Sequence, residues 1–343
     1  MNNNQILLVI FIFQFLFSCN SDVTENSTNA IPNSSTAQLS FFREQRIAIK
    51  QKNDSLTLYD NSNNLDFIPM GYNYTHVQSL TYKGVSFEGH STFSSEYYNA
   101  KDTENMLSKL ENSGYNTVRI FISPALISYG RGDLNQSYLA NISNFIRAAD
   151  NHHLSVIITT DMAPISYYEK EVLTESDITW LNTQYINREE INIEASFWRL
   201  LINEFRSHSV PLNAILSFEI RNEFFFTPQV EPFNKNEGVI LHPNGKSYDL
   251  SSDFDRNSLI DASFLYWSST IRNAIQEEDP EALVSVGFFA PEIIGTPSKV
   301  AISESALDFI DLHLYPSNAK LSEYVQYFDL KENKNKLIIM GEF

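Results

Sequence analysis

Ala214-Ile-Leu-Ser-Phe-Glu-Ile-Arg-Asn-Glu223 is the stretch that decides the fold, because its apolar run of strand length ends in two polar residues, Asn222 and Glu223. A near-continuous hydrophobic run is typical of a parallel strand that is buried on both faces. A carboxylate at the C-terminal end of such a strand lies where an α/β barrel carries its functional groups. The stretch therefore predicts a barrel strand with a functional glutamate at its end.

A second stretch of the same kind lies far along the chain, in Lys336-Leu-Ile-Ile-Met-Gly-Glu-Phe343. Here another apolar run ends in another glutamate, Glu342. Because the C-terminal ends of parallel barrel strands open onto one face, Glu223 and Glu342 are expected to share one site.

Strand-like and helix-like segments alternate from residue 67 onward, which predicts a parallel sheet covered by helices. The predicted strands are 67–74, 116–122, 154–161, 214–223, 282–289, 307–315 and 336–341, and the predicted helices are 102–112, 139–151, 191–205 and 258–277. This order predicts a (β/α)₈ TIM barrel whose last βα unit is missing from this chain. Such a barrel would leave the edges of its first and seventh strands unpaired.

Three further segments are assigned around this barrel. The segments 46–50 and 55–59 predict a hairpin that plugs the bottom of the barrel. Residues 78–95 are polar and suggest a loop over its top. The segment 224–256 is long enough to indicate a functional loop, with a hairpin signal at Pro243-Asn-Gly245.

The composition limits the classes of partner. The chain has 343 residues, with 42 Asp and Glu against 24 Lys and Arg, and a net charge of -18. This charge argues against nucleic acid and against an anionic membrane surface as partners. The dispersed histidines form no metal-ligand pattern and no Gly-rich phosphate loop occurs, so neither a metal nor a cofactor is expected.

The N-terminus predicts export. Ile6 to Phe17 is an apolar run of the length of a signal-peptide core, and Leu16-Phe17-Ser18-Cys19 resembles the lipobox of bacterial lipoproteins. The resulting domain assignment is a signal peptide at 1–18, a lipidated Cys19 with a flexible Asn/Ser/Thr-rich tether over 19–40, and a barrel domain over 41–343. The protein is therefore expected to be exported and held at a membrane or cell surface by a lipid anchor. Cys19 is the only cysteine, so no internal disulfide is possible.

Four strand ends carry a recognisable set of residues, and together they resemble glycoside hydrolase clan A, most closely family 5, the cellulase and mannanase group. The residues are Arg119 in strand two, Asn222-Glu223 after strand four, His313-x-Tyr315 after strand six and Gly341-Glu342-Phe343 after strand seven. The resemblance covers roughly residues 45–343. It departs at strand three, where the family usually has a histidine and this chain has Thr160-Asp161; Asp161 is a candidate for part of that role.

The resemblance implies a retaining glycosidase that acts on a β-linked polysaccharide such as β-glucan or β-mannan. Retention needs two carboxyl groups about 5 to 5.5 Å apart. Glu223 corresponds to the acid/base and Glu342 to the nucleophile. The residues that correspond to substrate-binding positions are Arg119, Asn222, His313 and Tyr315.

Ordinary structural interpretations remain open for several of these residues. Arg119 needs a carboxylate partner because an unpaired buried ion is costly, and Glu219 is an alternative to the nucleophile. His313 could be a hydrogen-bonded core histidine, Tyr315 simple packing at the rim, and Glu223 a helix cap. Two other functions also remain: a non-catalytic surface glycan-binding protein on the same fold, and an exo-acting β-glycosidase of the same clan.

Overall fold

The structure is a computed structural model, and it describes residues 45–53, 55–82, 85–124, 134–161, 180–288, 295–315, 321–327 and 336–342. All of these belong to one compact unit, Phe41–Phe343. The predicted signal peptide, Cys19 and the tether lie outside the described residues. Among the described helices, none combines the length and the apolar character needed to cross a bilayer.

The described elements alternate between strands and helices along most of the chain. The strands are β1 (Ile47–Lys52), β2 (Ser55–Asp60), β3 (Leu65–Phe67), β4 (Gly71–Tyr74), β5 (Val77–Tyr82), β6 (Val85–His90), β7 (Thr117–Ile122), β8 (Ser155–Thr160), β9 (Ile215–Glu219), β10 (Val239–Leu241), β11 (Ser247–Asp249), β12 (Val284–Ser285), β13 (Gly287–Phe288), β14 (Phe309–His313) and β15 (Leu337–Glu342). The helices are α1 (Ala100–Asn112), α2 (Gln136–Asn151), α3 (Trp180–Ile186), α4 (Arg188–Ser207), α5 (Asp253–Glu278), α6 (Lys299–Glu304) and α7 (Leu321–Tyr327), with a short 3₁₀ turn at Leu212–Ala214.

The main sheet has the strand order of an α/β barrel. One parallel sheet runs β12-β9-β8-β7-β4, and a second parallel sheet runs β13-β14-β15. Since β12 and β13 are halves of one extended segment on either side of Val286, the two sheets are consecutive. Seven parallel strand positions therefore follow chain order within the described residues, with β4 at one end and β15 at the other. This is the predicted TIM-barrel topology.

Two apolar layers lie on opposite sides of these strands. The outer layer packs the sheet against the helices, with Trp198 of α4 and Trp267 of α5 among its fully buried side chains. The inner layer joins barrel strands to the small antiparallel sheet β1-β2-β3. Its buried members are Ile47, Leu58, Phe67, Ile157, Leu216, Leu283, Phe309 and Ile339. The predicted bottom plug is thus confirmed, with β3 as an additional strand.

Several predicted boundaries differ from the structure. The first barrel strand begins at Gly71, because Phe67 pairs with Leu58 in the plug sheet instead. The segment predicted as a polar loop over 78–95 contains an antiparallel hairpin, β5 with β6. The first helix is capped by Asn99, whose side chain accepts two backbone N–H bonds, and Asp102 lies in its first turn.

The opening stretch is shorter as a strand than its apolar run predicts. β9 ends at Glu219, and Ile220 to Glu223 continue as irregular backbone at the top of the barrel. This backbone is still paired: Ile220 N–H donates to Ser285 O and Asn222 N–H to Thr160 O, at 2.9 and 2.7 Å. Asn222 and Glu223 are therefore held by strands three and five, although they lie outside the regular strand.

The last described strand contains a register shift. Leu312 pairs with Met340, but the next residue, His313, pairs with Glu342, so Gly341 is an extra residue on β15. Ile339 points into the inner core, and strict alternation would direct Glu342 outward. Because Gly341 adds one residue, Glu342 turns to the inside of the barrel.

Candidate active site

Arg119 is the centre of the site, and its guanidinium bridges several strand ends. It projects inward from β7 and is 3% exposed. Nη1 donates to Glu342 Oε1 at 2.6 Å and to Asn73 Oδ1 at 3.2 Å, and Nη2 donates to Asn222 Oδ1 at 2.6 Å and to Glu219 Oε1. A planar guanidinium with five N–H donors can serve several acceptors at once, which a lysine cannot do.

Glu342 is arranged to be ionised. Its carboxylate is 14% exposed and accepts hydrogen bonds from Arg119 on Oε1 and from the Tyr315 hydroxyl on Oε2. Burial alone would favour the neutral acid, but the positive charges of His313, when protonated, and of Arg119, with the two hydrogen bonds, outweigh it and lower the pKa of Glu342. Burial and the neighbouring Glu342 carboxylate raise the pKa of Tyr315, so its hydroxyl keeps the proton that it donates.

Glu223 faces Glu342 across His313. His313 is fully buried, and its Nδ1 lies 3.1 Å from Glu223 Oε1 and 3.8 Å from the Glu342 carboxylate. On the other side of the ring, Nε2 lies 3.4 Å from Arg119 Nη2, which can only donate. We therefore assign the ring proton to Nδ1, from which it is directed at Glu223.

The two glutamates are close together. One carboxylate oxygen of Glu223, one of Glu342 and a ring nitrogen of His313 lie within 4.8 Å of one another. Glu223 is 27% exposed at its side chain, more than Glu342, and so is the more accessible of the two carboxyl groups.

A buried carboxyl pair lies beneath this arrangement. Glu219 of β9 is fully buried and accepts hydrogen bonds from Arg119 and, at 2.8 Å, from the Thr159 hydroxyl. Burial opposes its ionisation, but the charge of Arg119 and the hydrogen bonds from Asp311 and Arg119 lower the pKa of Glu219. Asp311 of β14 is also fully buried, beside Glu219. Arg119 therefore has both carboxylate partners that the sequence left open, Glu219 and Glu342.

The mouth of the barrel holds a histidine, His90, that no sequence pattern marks as a site residue. His90, at the end of the β5–β6 hairpin, stacks on Phe121 with ring centroids 4.1 Å apart. Its Nδ1 contacts the Thr75 hydroxyl at 2.5 Å and its Nε2 lies 3.2 Å from Asp161 Oδ2. Phe121 also lies 4.6 Å beneath the guanidinium carbon of Arg119. Strand three of this chain has no histidine at its end, but His90 of the β5–β6 hairpin contacts Asp161, which follows that strand.

Arg221 anchors the backbone that carries Asn222 and Glu223. It is fully buried, and its guanidinium donates to Glu194 of α4 at 2.9 Å and lies 5.4 Å from the ring centroids of Tyr185 and Trp267. Trp267 Nε1 donates to the other oxygen of Glu194 at 2.8 Å. The strand end is therefore fixed to the helical layer one residue before the functional pair.

All six residues predicted for the site lie together: Glu223, Glu342, Arg119, Asn222, His313 and Tyr315. Four further residues lie in or beside the site and were not among those predicted: Asn73, Thr159, Asp311 and His90. Asn73 and Asp311 have a usable signal, since each is a polar residue within an otherwise strand-like run.

Two groups of side chains have ligand atoms close enough to surround an ion: Glu219, Asp311 and His313, and Glu223, His313 and Glu342. Arg119 contacts Glu219, Glu342 and His313, and thus already places a positive charge in both groups. We assign no metal ion to either.

Comparison with known sequences gives one family. The sequence model described as "Cellulase (glycosyl hydrolase family 5)" matches residues 79–343. No curated protein sequence matches this chain.

Solved structures with a similar fold include a mannanase and a mannosidase. An endo-1,4-β-mannanase from Rhizomucor miehei aligns with a TM-score of 0.55 and 16% identity, over 85% of this chain and 81% of that one. The exo-β-1,4-mannosidase Op5Man5 from Opitutaceae bacterium strain TAV5 aligns with a TM-score of 0.51 and 16% identity, over 78% of this chain. This chain covers 41% of the exo-mannosidase chain. At this level of sequence identity, the similarity shows a shared fold alone.

Proposed function

Because the chain belongs to the cellulase family, glycosyl hydrolase family 5, we propose that it is a retaining glycoside hydrolase that cleaves a β-linked polysaccharide by double displacement. Glu342 attacks the anomeric carbon, while Glu223 gives a proton to the leaving oxygen. Glu223 then removes a proton from the water that cleaves the glycosyl–enzyme ester. Both glutamates thus take part in each half of the reaction.

The observation that carries this proposal is the separation of the two carboxyl groups. Retaining enzymes hold them about 5 to 5.5 Å apart, whereas inverting enzymes separate them by about 6.5 to 9.5 Å to admit a water. Oxygens of Glu223 and Glu342 within 4.8 Å of each other support retention.

The surroundings of each glutamate fit its proposed role. Glu342 receives two hydrogen bonds and the charge of Arg119, which favour the carboxylate needed for attack. Glu223 has the more exposed side chain and His313 beside one oxygen, which leaves the other oxygen able to meet the leaving group. Arg119 also donates a hydrogen bond to Asn222, which is the proposed partner of the sugar 2-hydroxyl.

We propose β-1,4-linked mannan as the first substrate to test, followed by β-1,4-glucan. The two similar structures described above are named as enzymes that act on β-mannosidic linkages, and the family description names cellulase. The experiment incubates the purified protein with each polysaccharide and follows reducing ends and the anomer that forms first. A β anomer as first product supports retention, and an α anomer would contradict it.

Variants test the two roles. Glu342→Gln and Glu223→Gln should each lower hydrolysis at least about 10³-fold, since each removes a group that acts in the transition state. Glu237→Gln, at an exposed position of the loop after β9, is the matched control and should retain wild-type turnover. Wild-type turnover in either active-site variant would refute the assignment.

Exo action on the same class of substrate is the second candidate. The β5–β6 hairpin brings His90 against Phe121 and Asp161 at the barrel mouth, and a hairpin that closed one end of the substrate cleft would favour attack on chain ends. Single sugars released at a constant rate from long oligosaccharides would indicate exo action, whereas mixed shorter oligosaccharides would indicate endo action. A non-catalytic glycan-binding protein would bind the polysaccharide in calorimetry and release no reducing ends.

We further propose that the protein works outside the cytoplasm as a lipid-anchored enzyme. The support is the apolar run Ile6 to Phe17 followed by Leu16-Phe17-Ser18-Cys19. Mass spectrometry of the mature protein from a bacterial host should show a diacylglycerol-modified Cys19 as the first residue. The Cys19→Ser variant should be released from membranes or left uncleaved, and an unmodified Cys19 in the wild-type protein would argue against the anchor.

A further inference from the structure

Asp311 is a buried carboxyl group without a conventional hydrogen-bond donor. Both of its oxygens are inaccessible to solvent, and among the described residues no N–H or O–H donates to either of them. An isolated buried carboxylate costs far more than the neutral acid, so a group in this position neutralises instead of ionising. Among the described residues, the carboxyl group of Glu219 lies close to it, and a hydrogen bond between the two would satisfy one of these oxygens.

The charges that face Asp311 also disfavour its ionisation. Glu219 faces it from β9 and Glu342 from β15, while Arg119 faces it from β7 and His313 lies two residues away on β14. Arg119 is already paired with both glutamates. Burial, followed by the negative charge of Glu219 and a hydrogen bond to it, raises the pKa of Asp311 well above its usual range.

The Glu219 carboxylate has one oxygen suited to accept this bond. Its Oε1 accepts from Arg119 Nη2 and from Thr159. Its Oε2 receives, among the described residues, only the 3.4 Å contact from Arg119 Nε. Two carboxyl groups this close can bond only if one of them carries a proton, and the group without other donors is Asp311.

We propose that Asp311 is a positioning residue that stays protonated at working pH and donates its proton to Glu219 Oε2. Glu219 thereby remains a single negative charge directed at Arg119. The guanidinium is held between Glu219 and Glu342, and no third negative charge lies beneath the nucleophile. Asp311 does not touch the substrate; it acts through Glu219 and Arg119 on Glu342.

The backbone of the last strand is built against this carboxyl group. A Cβ atom on Gly341 would overlap both oxygens of Asp311. Gly341 is also the extra residue that turns Glu342 inward. The close approach excludes water and side chains from Asp311, which keeps the proton on it.

The protonation state can be measured without any activity. Infrared difference spectra at pH 7 between the wild-type protein and Asp311→Asn isolate the carbonyl band of one protonated carboxyl group from those of other buried acids. We expect a positive band that persists to at least pH 8. If Asp311→Asn does not fold, a ¹³C-carboxyl-labelled aspartate NMR titration of the wild-type protein should show one protonated aspartate over the same range. Absence of a protonated aspartate in either measurement would overturn the proposal.

The functional half of the inference rests on the proposed function, and pH profiles of kcat/KM test it. Asn resembles a protonated Asp and can donate to Glu219, so Asp311→Asn should leave the acidic limb where it is in the wild-type enzyme. Glu219→Gln removes a negative charge that opposes Arg119, so its acidic limb should move to lower pH as the pKa of Glu342 falls further. A shift to lower pH in Asp311→Asn would mean that Asp311 is ionised in the wild-type enzyme, and would refute the proposal. If the wild-type protein hydrolyses nothing, the proposed function fails while the spectroscopic result still decides the state of Asp311.

Discussion

Arg119 Nη1 lies 2.6 Å from Glu342 Oε1, although 223 positions separate the two residues in the chain. The contact joins strand two to strand seven across the interior of the barrel. Since the same guanidinium also binds Glu219 and Asn222, one side chain fixes the relative positions of three strand ends. The geometry of the site therefore depends on this arginine.

Replacement of Arg119 by lysine should uncouple these strand ends. Lysine keeps the charge but cannot direct separate N–H groups at Glu219, Asn222 and Glu342. We expect kcat/KM to fall roughly 10²-fold or more, and the acidic limb of the pH profile to move to higher pH because the pKa of Glu342 rises. Arg199→Lys, at an exposed ion pair on α4, is the control and should match the wild-type profile. An Arg119→Lys enzyme with an unchanged profile would contradict the assignment.

His90 should contribute to substrate binding at the barrel mouth. The change His90→Phe keeps a ring stacked on Phe121 but removes the contacts with Thr75 and Asp161. Because these contacts hold the imidazole in place at the barrel mouth, their loss should misplace it, and KM should rise roughly tenfold with a smaller change in kcat. His76→Phe, at an exposed position just before β5, should leave KM unaltered. Equal effects from both substitutions would argue against a specific role of His90.

The ion pair of Arg221 with Glu194 should dominate the stability of the strand-four end. Glu194→Gln removes the carboxylate from a fully buried arginine, and breaking a buried pair from one side costs about 3 to 5 kcal/mol. Denaturant unfolding should show this loss, measured against Glu277→Gln in the exposed Arg199–Glu277 pair. That control should lose less than about 1 kcal/mol. Comparable losses in the two variants would show that the buried pair is not structurally important.

A surface cluster predicts how stability changes with pH. His152 contacts Glu104 and Glu111 at 2.9 and 2.8 Å, and His153 contacts Glu111 at 2.8 Å. Partial burial opposes the charged forms of both groups, but the hydrogen bonds between them raise the pKa of His152 and lower the pKa of Glu111.

The way in which stability changes with pH follows from the directions of these two pKa shifts. The contribution of His152 is fully present below its ordinary pKa of 6.5 and is lost as the pH rises through the raised value. The contribution of Glu111 is present above its ordinary pKa of 4.5 and is lost as the pH falls through the lowered value. The cluster should therefore stabilise the fold most between about pH 4.5 and 6.5, by less than about 1 kcal/mol. His152→Gln should reduce the difference in melting temperature between pH 6 and pH 8, whereas Glu277→Gln should not. An undiminished difference in His152→Gln would assign the pH dependence to other groups.

The sequence predicts the barrel and the six site residues because both follow from local patterns. Apolar runs of strand length mark the parallel strands, and the polar residues that end them converge on one face. Arg119 is predicted to need a buried acidic partner. The sequence alone does not decide between Glu219 and Glu342, because both glutamates lie on the inner face of the barrel. The structure shows that one planar group serves both.

Other features depend on tertiary contacts that leave little local trace. Asp311 has the appearance of a single polar interruption in Phe309-Ile-Asp-Leu-His313, and its importance comes from Glu219 on a different strand. The residues of the β5–β6 hairpin are mostly polar, so their pattern predicts a loop, and the position of His90 over Phe121 is set by the barrel beneath it. The register shift at Gly341 is hidden in an apolar run that fits either register.

Because β15 carries one extra residue at Gly341, the direction in which Glu342 points depends on the register shift there. From Ile339, which faces the inside, to Glu342, which also faces the inside, there is an odd number of steps, whereas a regular strand needs an even number. A strand with the same three steps but regular pairing at Gly341 would direct the glutamate outward, away from Arg119. The contact with Arg119 would then be lost without replacement of a single site residue, by a change of pairing at one position of the strand.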